Sequence, residues 1–311
     1  MTSMVTLLVG HGSRRAEAIA QFNRFVVDFA ALSGQPAHSC FLELAEPDMA
    51  SGLERAAQEA GAGGTVVVLP IFLGAANHEK NDVATAIQWA RQRFSEVAFR
   101  YATPLGPHAK LVDLLDLRLR EAHQRAFGAL PLEESSVLVV GRGSSDPDSN
   151  SELARTAHLL FEQRPYRFVT YAFQAVARPT IEEALHYCHA AGARQVLVAP
   201  YILFTGRVYE DILTVSSQVA ARRGLRIIHA TYLAPHPLLL EVAQQRWQEA
   251  LESSAAMTCD ICKYRFPMAG YEAQVGQPQY THHLHGSHAH HEHTHSPEGS
   301  EHVHTEASWA P

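Results

Sequence analysis

The sequence predicts an α/β protein with two tandem, duplicated domains, each a four-stranded parallel sheet flanked by helices, and a disordered His-rich tail. Three observations lead to this prediction. Short apolar runs alternate with helical patterns to about residue 127, the same order of elements then recurs, and the periodicity fades beyond residue 251. Alternating strands and helices are typical of parallel sheets, because a parallel neighbour is reached through a right-handed helical crossover.

The composition excludes several classes of protein. The chain has 311 residues and is 46% hydrophobic, enough for one large or two ordinary domains. The net charge of −7 argues against a nucleic-acid partner, and no apolar run reaches the roughly 18 residues of a membrane helix. The apolar start lacks the basic lead-in of a signal peptide, and four cysteines in so long a chain do not make a disulfide framework. A soluble, cytoplasmic protein is therefore predicted.

The first copy carries four strand–helix units. Short apolar runs predict strands at 5–9, 37–42, 65–69 and 97–101. Helical patterns predict helices at 14–32, 48–60, 82–94 and 109–125. The first strand breaks into Gly-His-Gly, so His11 is expected at the carboxyl edge of the sheet, where parallel α/β folds bind ligands.

The second copy repeats the landmarks of the first. The turn GHG at 10–12 corresponds to GRG at 141–143, and FLELAEP at 41–47 corresponds to FQAVARP at 173–179. Five landmarks keep offsets of 128 to 132 residues, which indicates a duplicated domain. The predicted units are two domains and a terminal segment, at 1–128, 129–255 and 256–311.

The two copies differ where a site is expected. At four positions just after strands, the first copy has groups that bind cations or move protons, and the second copy has mostly arginine. Guanidinium does neither, but it forms forked hydrogen bonds with carboxylates. If the copies face each other, they form one cleft in which arginines hold a polyanionic substrate on one wall, and imidazole and carboxylate groups bind a metal or move a proton on the other. The alternative is that the second copy has lost its function by drift and kept only its fold. The pairs are His11 and Arg142, Glu43 and Ala175, Glu46 and Arg178, and His78 and Arg207.

These residues also carry a family resemblance. The run LVGHGSR at 8–14, the FLELAEP segment, and His78 four residues before Asp82 resemble the class II tetrapyrrole chelatases. The segment GRGSSDPD at 141–148, the MTCDIC segment at 257–262 and the His-rich end are similar to the long CbiX form of sirohydrochlorin cobaltochelatase. The resemblance implies ATP-independent insertion of Co²⁺ into sirohydrochlorin, on the way to cobalamin.

The resemblance also assigns roles. His11 and His78 would bind the metal and take protons from the pyrrole nitrogens, with Glu43, and secondly Glu46, beside them. The substrate-binding residues that we expect are Arg142, Arg178, Arg207, Ser13 and Ser144.

The identity of the metal stays open at this point. Neutral imidazole is a ligand suited to cobalt, nickel or iron, and it is also a base. Insertion of Fe²⁺ or Ni²⁺ is therefore the nearest alternative, and a metal-storage or metal-delivery protein is an alternative of another class. The sequence contains no GxxxxGK[ST] phosphate loop, so nothing suggests the use of ATP.

Further metal ligands are predicted near the end of the chain. Cys259 and Cys262 have the spacing of half a four-cysteine site, so two chains would complete one. The resemblance points to an iron–sulfur cluster, which would join a homodimer; an idle cysteine pair is the alternative. Ten of the 20 histidines fall between 282 and 304, in a segment that either binds transition metals loosely or is only a disordered terminus. The predicted tail ligands are His282, His283, His285, His288, His290, His291, His293 and His295.

Overall fold

A computed structural model describes residues 3–74 and 78–252, with the backbone but not the side chains of His78 and Glu79. It contains two four-stranded sheets in which every pair of neighbouring strands is parallel. The α/β class and the two copies of one sheet are therefore confirmed. No helix in these residues combines the length and the apolar character that crossing a membrane requires.

The two halves have the same order of elements. The first half contains β1 (Met4–Gly10), α1 (Ala16–Ser33), β2 (Ala37–Phe41), α2 (Met49–Ala60), β3 (Thr65–Pro70), α3 (Ala84–Arg93), β4 (Ala98–Tyr101) and α4 (Ala109–Arg125). The second half contains β5 (Ser136–Gly141), α5 (Pro147–Gln163), β6 (Phe168–Phe173), α6 (Ile181–Ala190), β7 (Gln195–Pro200), α7 (Arg207–Arg223), β8 (Arg226–His229) and α8 (Pro237–Glu252). The strand orders are β2-β1-β3-β4 and β6-β5-β7-β8.

The third helix of the first half differs from the prediction. The pattern predicted one α-helix over 82–94, whereas the structure has a π-helix at His78–Val83 followed by α3. The apolar pattern does not distinguish hydrogen bonds to the fourth residue from hydrogen bonds to the fifth, so a single π turn escapes it. The difference matters because the π-helix begins at one of the predicted site residues.

Each half covers the sheet of the other half with its last helix. Helix α8 packs on β3 and β4, and α4 packs on β7 and β8. Trp247 of α8 is buried, and its indole N–H donates to Thr6 Oγ1 in β1 at 2.8 Å. The duplication in the sequence did not predict this exchange, in which a helix of each half covers part of the sheet of the other half.

The exchange is symmetric in detail. Arg118 of α4 donates to the carbonyl oxygen of Leu233 at 3.0 Å, in the segment that leads from β8 to α8. Arg246 of α8 donates to the carbonyl oxygen of Leu105 at 3.1 Å, in the segment that leads from β4 to α4. These matched contacts indicate that a pseudo-two-fold axis relates the two halves.

One hydrophobic core joins the two halves. It contains the inner face of each sheet together with α1, α4, α5 and α8. Alternation along β1 puts Leu8 in this core, and Leu7 and Val9 on the outer face under α2 and α3. Helices α6 and α7 cover the outer face of the second sheet. Separating the halves would expose the inner faces, so their relative orientation is set by apolar burial.

We expect Trp247→Ala to lower the free energy of unfolding by about 3–5 kcal/mol, because a large buried side chain is lost. The substitution also removes the hydrogen bond to Thr6. Phe127→Ala is the matched control, since Phe127 is 100% exposed and should cost less than about 0.5 kcal/mol. Both values follow from chemical denaturation monitored by circular dichroism. Equal losses in the two variants would contradict the packing of α8 on the first sheet.

Candidate active site

Three predicted site residues share one edge of the first sheet. His11 directly follows β1, Glu43 is the second residue after β2, and His78 opens the π-helix that follows β3. The strands are parallel, so their carboxyl ends lie at the same edge, where α/β sheets bind ligands. Strand β1 lies between β2 and β3, which places His11 between the other two residues in strand order.

His11 and Glu43 are in contact. The backbone N–H of Glu43 donates to the carbonyl oxygen of His11 at 3.1 Å, which extends the pairing of β1 and β2. The side chains then lie side by side, with Nδ1 of His11 3.3 Å from Oε1 of Glu43, and each is about one third exposed. A carboxylate at Nδ1 favours the tautomer that is protonated there. In that tautomer Nε2 is the basic nitrogen, which can bind a metal or accept a proton.

A glycine makes this contact sterically feasible. Gly12 has φ +96°, and a Cβ atom built on it would lie 1.7 Å from the carbonyl oxygen of Glu43. The second half keeps the same close approach, since Gly143 has φ +89° and its Cβ would lie 2.0 Å from the carbonyl oxygen of Ala175. The duplicated turns therefore share their geometry and differ in chemistry, because Ala175 stands where the first half has Glu43.

Other predicted contact residues make local hydrogen bonds. Glu46 lies on the same loop as Glu43, and its carboxylate accepts the backbone N–H of Asp48 at 3.0 Å, just before α2. Ser13 Oγ accepts the backbone N–H of Arg15, and Ser144 Oγ accepts that of Asp146, each at 3.0 Å. Each hydroxyl thus supports the turn before a helix and keeps its O–H available to donate. Binding of a substrate by these residues stays a prediction.

The carboxyl edge of the second sheet carries the arginines. Arg142 follows β5 and is exposed; its backbone carbonyl oxygen accepts the N–H of Ala175 at 2.9 Å, and its side chain has no hydrogen bond or ion pair with the residues that the structure describes. Arg178 follows β6 and donates from Nε to Glu183 at 3.3 Å, which lowers the pKa of Glu183 to about 2. Arg207 opens α7, and its Nε lies 3.7 Å from Asp211. All three side chains are accessible to solvent on one edge.

Two junctions bring the edges of the two sheets face to face. Arg15, in the turn after His11, bonds Glu210 of α7 at 2.6 Å. At the other junction Gly74 lies against α5, because a Cβ built on it would be 2.6 Å from Oε2 of Glu152. The edge that carries His11 and the edge that carries the arginines therefore face each other across the pseudo-two-fold axis.

Lys80 holds the second junction together. Its Nζ lies 2.9 Å from Asp146 and 2.6 Å from Asp148, and its side chain is 6% exposed. Burial opposes the charge, but the hydrogen bonds to the two carboxylates outweigh burial and raise the pKa of Lys80. Sequence analysis did not single out this lysine. A partner 68 residues away leaves no local pattern.

Part of the predicted metal ligands lies outside the described residues. The side chain of His78, the pair Cys259 and Cys262, and all the predicted tail histidines belong to this group. Within residues 3–74 and 78–252, no three or more His, Cys, Asp or Glu side chains are arranged to hold a metal ion. His11 and Glu43 are the predicted ligand and its neighbour whose contact the structure describes.

A cavity of about 370 Å³ lies away from these groups. It is bounded by α1 and by the segments after β7 and β8, and apolar residues such as Phe25, Phe204 and Leu240 form much of its wall. His11, Glu43 and the three arginines do not line it. We therefore assign the candidate site to the facing sheet edges, which carry the imidazole, carboxylate and guanidinium groups, and not to this cavity.

The comparisons with known proteins agree with the duplicated fold. The CbiX family model matches residues 5–122 and 136–250, one match in each half. Sirohydrochlorin cobaltochelatase of Priestia megaterium is 33% identical over 83% of this chain and 84% of that protein. Sirohydrochlorin ferrochelatase of the same organism is 33% identical over 83% of this chain and 94% of that protein. The structure of SirB from Bacillus subtilis with Fe³⁺ superimposes with a TM-score of 0.71 at 29% identity, over 81% of this chain and 97% of that one.

We expect Gly12→Ala and Gly143→Ala to lower the free energy of unfolding by similar amounts, about 2 kcal/mol or more. Each adds a Cβ that collides with a backbone carbonyl at a positive φ. Gly34→Ala is the control, because Gly34 also has a positive φ of 68° but no atom within 4 Å of its Cβ, so it should cost only about 1 kcal/mol. Denaturant titration measures all three. A loss in Gly12→Ala no larger than in Gly34→Ala would contradict the close approach.

Proposed function

The chain belongs to the CbiX family, and from this premise we propose that it inserts Co²⁺ into sirohydrochlorin without ATP. Sirohydrochlorin is the compound named in both relatives from Priestia megaterium. One observation carries the proposal: the 3.3 Å contact of His11 with Glu43 lies on a sheet edge that faces three arginines. Such an arrangement suits a substrate that is anionic at its rim and exchanges protons for a metal at its centre.

The imidazoles act on the metal and on the pyrrole protons. The entering cation, which is a substrate, displaces N–H protons from the macrocycle, so the site needs a metal ligand and a base. Nε2 of His11 serves as the metal ligand or as the base. Glu43 keeps His11 in the tautomer that is protonated at Nδ1, and it stabilises the imidazolium that forms when Nε2 accepts a proton. His78 supplies a second imidazole from the same edge, and Glu46 supplies a further carboxylate. Each proton then passes to water, which completes the exchange of protons for Co²⁺.

The arginines hold the carboxylates of the tetrapyrrole. The Arg142 side chain is exposed and has no partner among the described residues, so its forked donors are ready for a carboxylate. Arg178 and Arg207 have acidic neighbours, but both side chains are at least 80% exposed. Exposed ion pairs contribute only about 0–1 kcal/mol, so both arginines can exchange their partners for substrate. Ser13 and Ser144 supply O–H donors at the two turns.

Fe²⁺ is the second candidate metal. The cobaltochelatase and the ferrochelatase relatives have equal identity to this chain, 33%. Affinity for a nitrogen and oxygen site rises from iron to cobalt to nickel, so the ligand types do not select among them. We favour Co²⁺ because the resemblance to the long CbiX form extends to the cysteine pair and the His-rich end of the sequence.

Four further predictions concern features that the described residues do not test. These are the iron–sulfur cluster at Cys259 and Cys262, the homodimer that the cluster would join, loose metal binding by the tail histidines, and the cytoplasmic location. The proposed reaction uses none of the four. Its steps depend on residues of the two sheet edges alone.

Visible spectroscopy tests the proposal and its alternatives. Sirohydrochlorin is incubated with the protein and each cation in turn, and we expect Co²⁺ to convert the spectrum fastest, with no requirement for ATP. Conversion of the sirohydrochlorin spectrum with Fe²⁺ alone or with Ni²⁺ alone would instead identify the protein as a ferrochelatase or a nickelochelatase. Several metals bound per chain with no change in the tetrapyrrole spectrum would indicate storage or delivery instead.

We expect His11→Ala and His78→Ala each to reduce the rate of insertion by about 10²-fold or more, because each removes a ligand and base. Circular dichroism and the Tm should stay close to those of the wild type, since both residues follow strands at the sheet edge. His158→Ala is the control, because His158 is 68% exposed on α5. A wild-type rate in either variant would remove that histidine from the mechanism.

We expect Arg142→Ala to raise the KM for sirohydrochlorin more than it lowers kcat. The lost contact is a charge-assisted hydrogen bond of roughly 1.5–3 kcal/mol, which corresponds to about a 10- to 100-fold rise in KM. Arg155→Ala, which removes another exposed arginine of the same half, serves as the control. Steady-state kinetics at saturating metal separates the two constants. An unchanged KM in Arg142→Ala would exclude the carboxylate contact.

A further inference from the structure

Lys80 is buried, although the proposed reaction does not use it. Its side chain is 6% exposed, and lysine is almost never this buried unless it is paired. It lies in the π-helix His78–Val83, two residues after the predicted catalytic histidine. Such helices occur mostly as single turns and frequently at functional sites. The position and the burial together call for an explanation.

Both partners of Lys80 come from the other half of the chain. Its Nζ lies 2.9 Å from Oδ2 of Asp146 and 2.6 Å from Oδ2 of Asp148. Asp146 is only 7% exposed, and its Oδ1 accepts the backbone N–H of Asp148 at 3.0 Å. Lys80 and Asp146 are both buried, so little solvent screens the charge-assisted hydrogen bond between them, whereas Asp148 is 67% exposed. The ammonium group therefore binds the first half to the second half.

Hydrogen bonds of its own hold the turn that carries Asp146 and Asp148. Ser144 Oγ accepts the N–H of Asp146, and Asn150 Oδ1 accepts the N–H of Ser144, each at 3.0 Å. Asn150 also donates to the carbonyl oxygen of Ser144 at 2.8 Å. This turn begins at Arg142 and leads into α5. Lys80 thus links the helix that starts at His78 to a hydrogen-bonded turn that starts at Arg142.

The junction related by the pseudo-two-fold axis is weaker. There the charges are reversed, with the cation, Arg15, on the turn before α1 and the anion, Glu210, on the helix after β7. The two side chains are 56% and 49% exposed, and exposed ion pairs contribute little to stability. Of these two junctions, the buried one is therefore the one that holds the histidine-bearing helix.

We propose that Lys80 is a positioning residue, which fixes the backbone of the His78 helix against the turn that carries Arg142. The edge that carries His11 and His78 and the edge that carries Arg142 are then held at a fixed spacing when the metal and the tetrapyrrole bind. The inference rests on the function proposed above for His78 and Arg142. The expected effect is large, because a displacement of about 1 Å between reacting groups can cost about 10²-fold in rate.

Lys80→Met tests the proposal, because it keeps a long side chain and removes the ammonium group. We expect kcat for Co²⁺ insertion to fall about 10- to 100-fold, while the KM for sirohydrochlorin changes less than about threefold. Lys80→Arg should restore most of kcat, since guanidinium can bond both carboxylates. Lys110→Met is the matched control, because Lys110 bonds Glu241 at 2.8 Å and joins α4 to α8 instead of the two edges.

Amide hydrogen exchange supplies a readout that needs no activity. We expect the amides of residues 80–83 to exchange faster in Lys80→Met than in the wild type or in Lys110→Met, because the bonds to the second half are gone. If Lys80→Met does not fold by circular dichroism, Asp148→Asn replaces it. Asp148 is 67% exposed, so this change leaves the core intact, and kcat should fall in the same direction by a smaller factor.

Three results would overturn the proposal. These are a wild-type kcat in folded Lys80→Met, an equal loss of kcat in Lys110→Met, and unchanged exchange at residues 80–83. A wild-type protein that inserts none of Co²⁺, Fe²⁺ and Ni²⁺ would refute the proposed function instead. In that case the exchange measurement would still decide whether Lys80 fixes the helix.

Discussion

The exchange of α4 and α8 between the two sheets is the constraint on which the rest of the structure depends. Each sheet has an inner apolar face that its own half does not cover completely, and the last helix of the other half completes the cover. At about 25 cal/mol for each Å² of buried apolar area, separating the halves would carry a large free-energy cost. The halves therefore fold against each other in one orientation. That orientation turns the carboxyl edges of the two sheets toward each other.

The duplication then produces one site with two unlike walls. The turns at Gly12 and Gly143 have the same conformation and the same close approach to a neighbouring carbonyl, so the backbone of the site is built twice. The side chains on these backbones differ: imidazole and carboxylate occupy one edge, and guanidinium groups occupy the other. In the reaction that we propose, this symmetric backbone with asymmetric chemistry gives one wall the binding of the substrate and the other wall the metal and the protons. The two junctions also combine a similar position with different chemistry. The turn after the first strand carries the cation Arg15 in the first half, whereas the corresponding turn carries the anion Asp146 in the second half.

The predicted site is best supported where it is local in sequence and least where it depends on distant partners. His11 and Glu43 follow neighbouring parallel strands, so strand pairing alone brings them together. Both strands were predictable because each is a short apolar run in the sequence. Ser13 and Ser144 each accept a backbone N–H in their own turn, which a motif does not reveal, and contact of their hydroxyls with substrate stays a prediction. Lys80 could not be found from the sequence, because its two carboxylates become neighbours only when the halves meet.

By itself the sequence determined the α/β class, the two copies of a four-stranded sheet, and the positions at which the copies differ in chemistry. These follow from apolar periodicity and from internal repetition, which are properties of short segments and of their spacing. Tertiary structure alone decided that the last helices are exchanged and that a buried lysine joins the two edges. The physical reason is that these features depend on contacts between residues far apart in the chain, whose free energy is realised only when both halves are packed together.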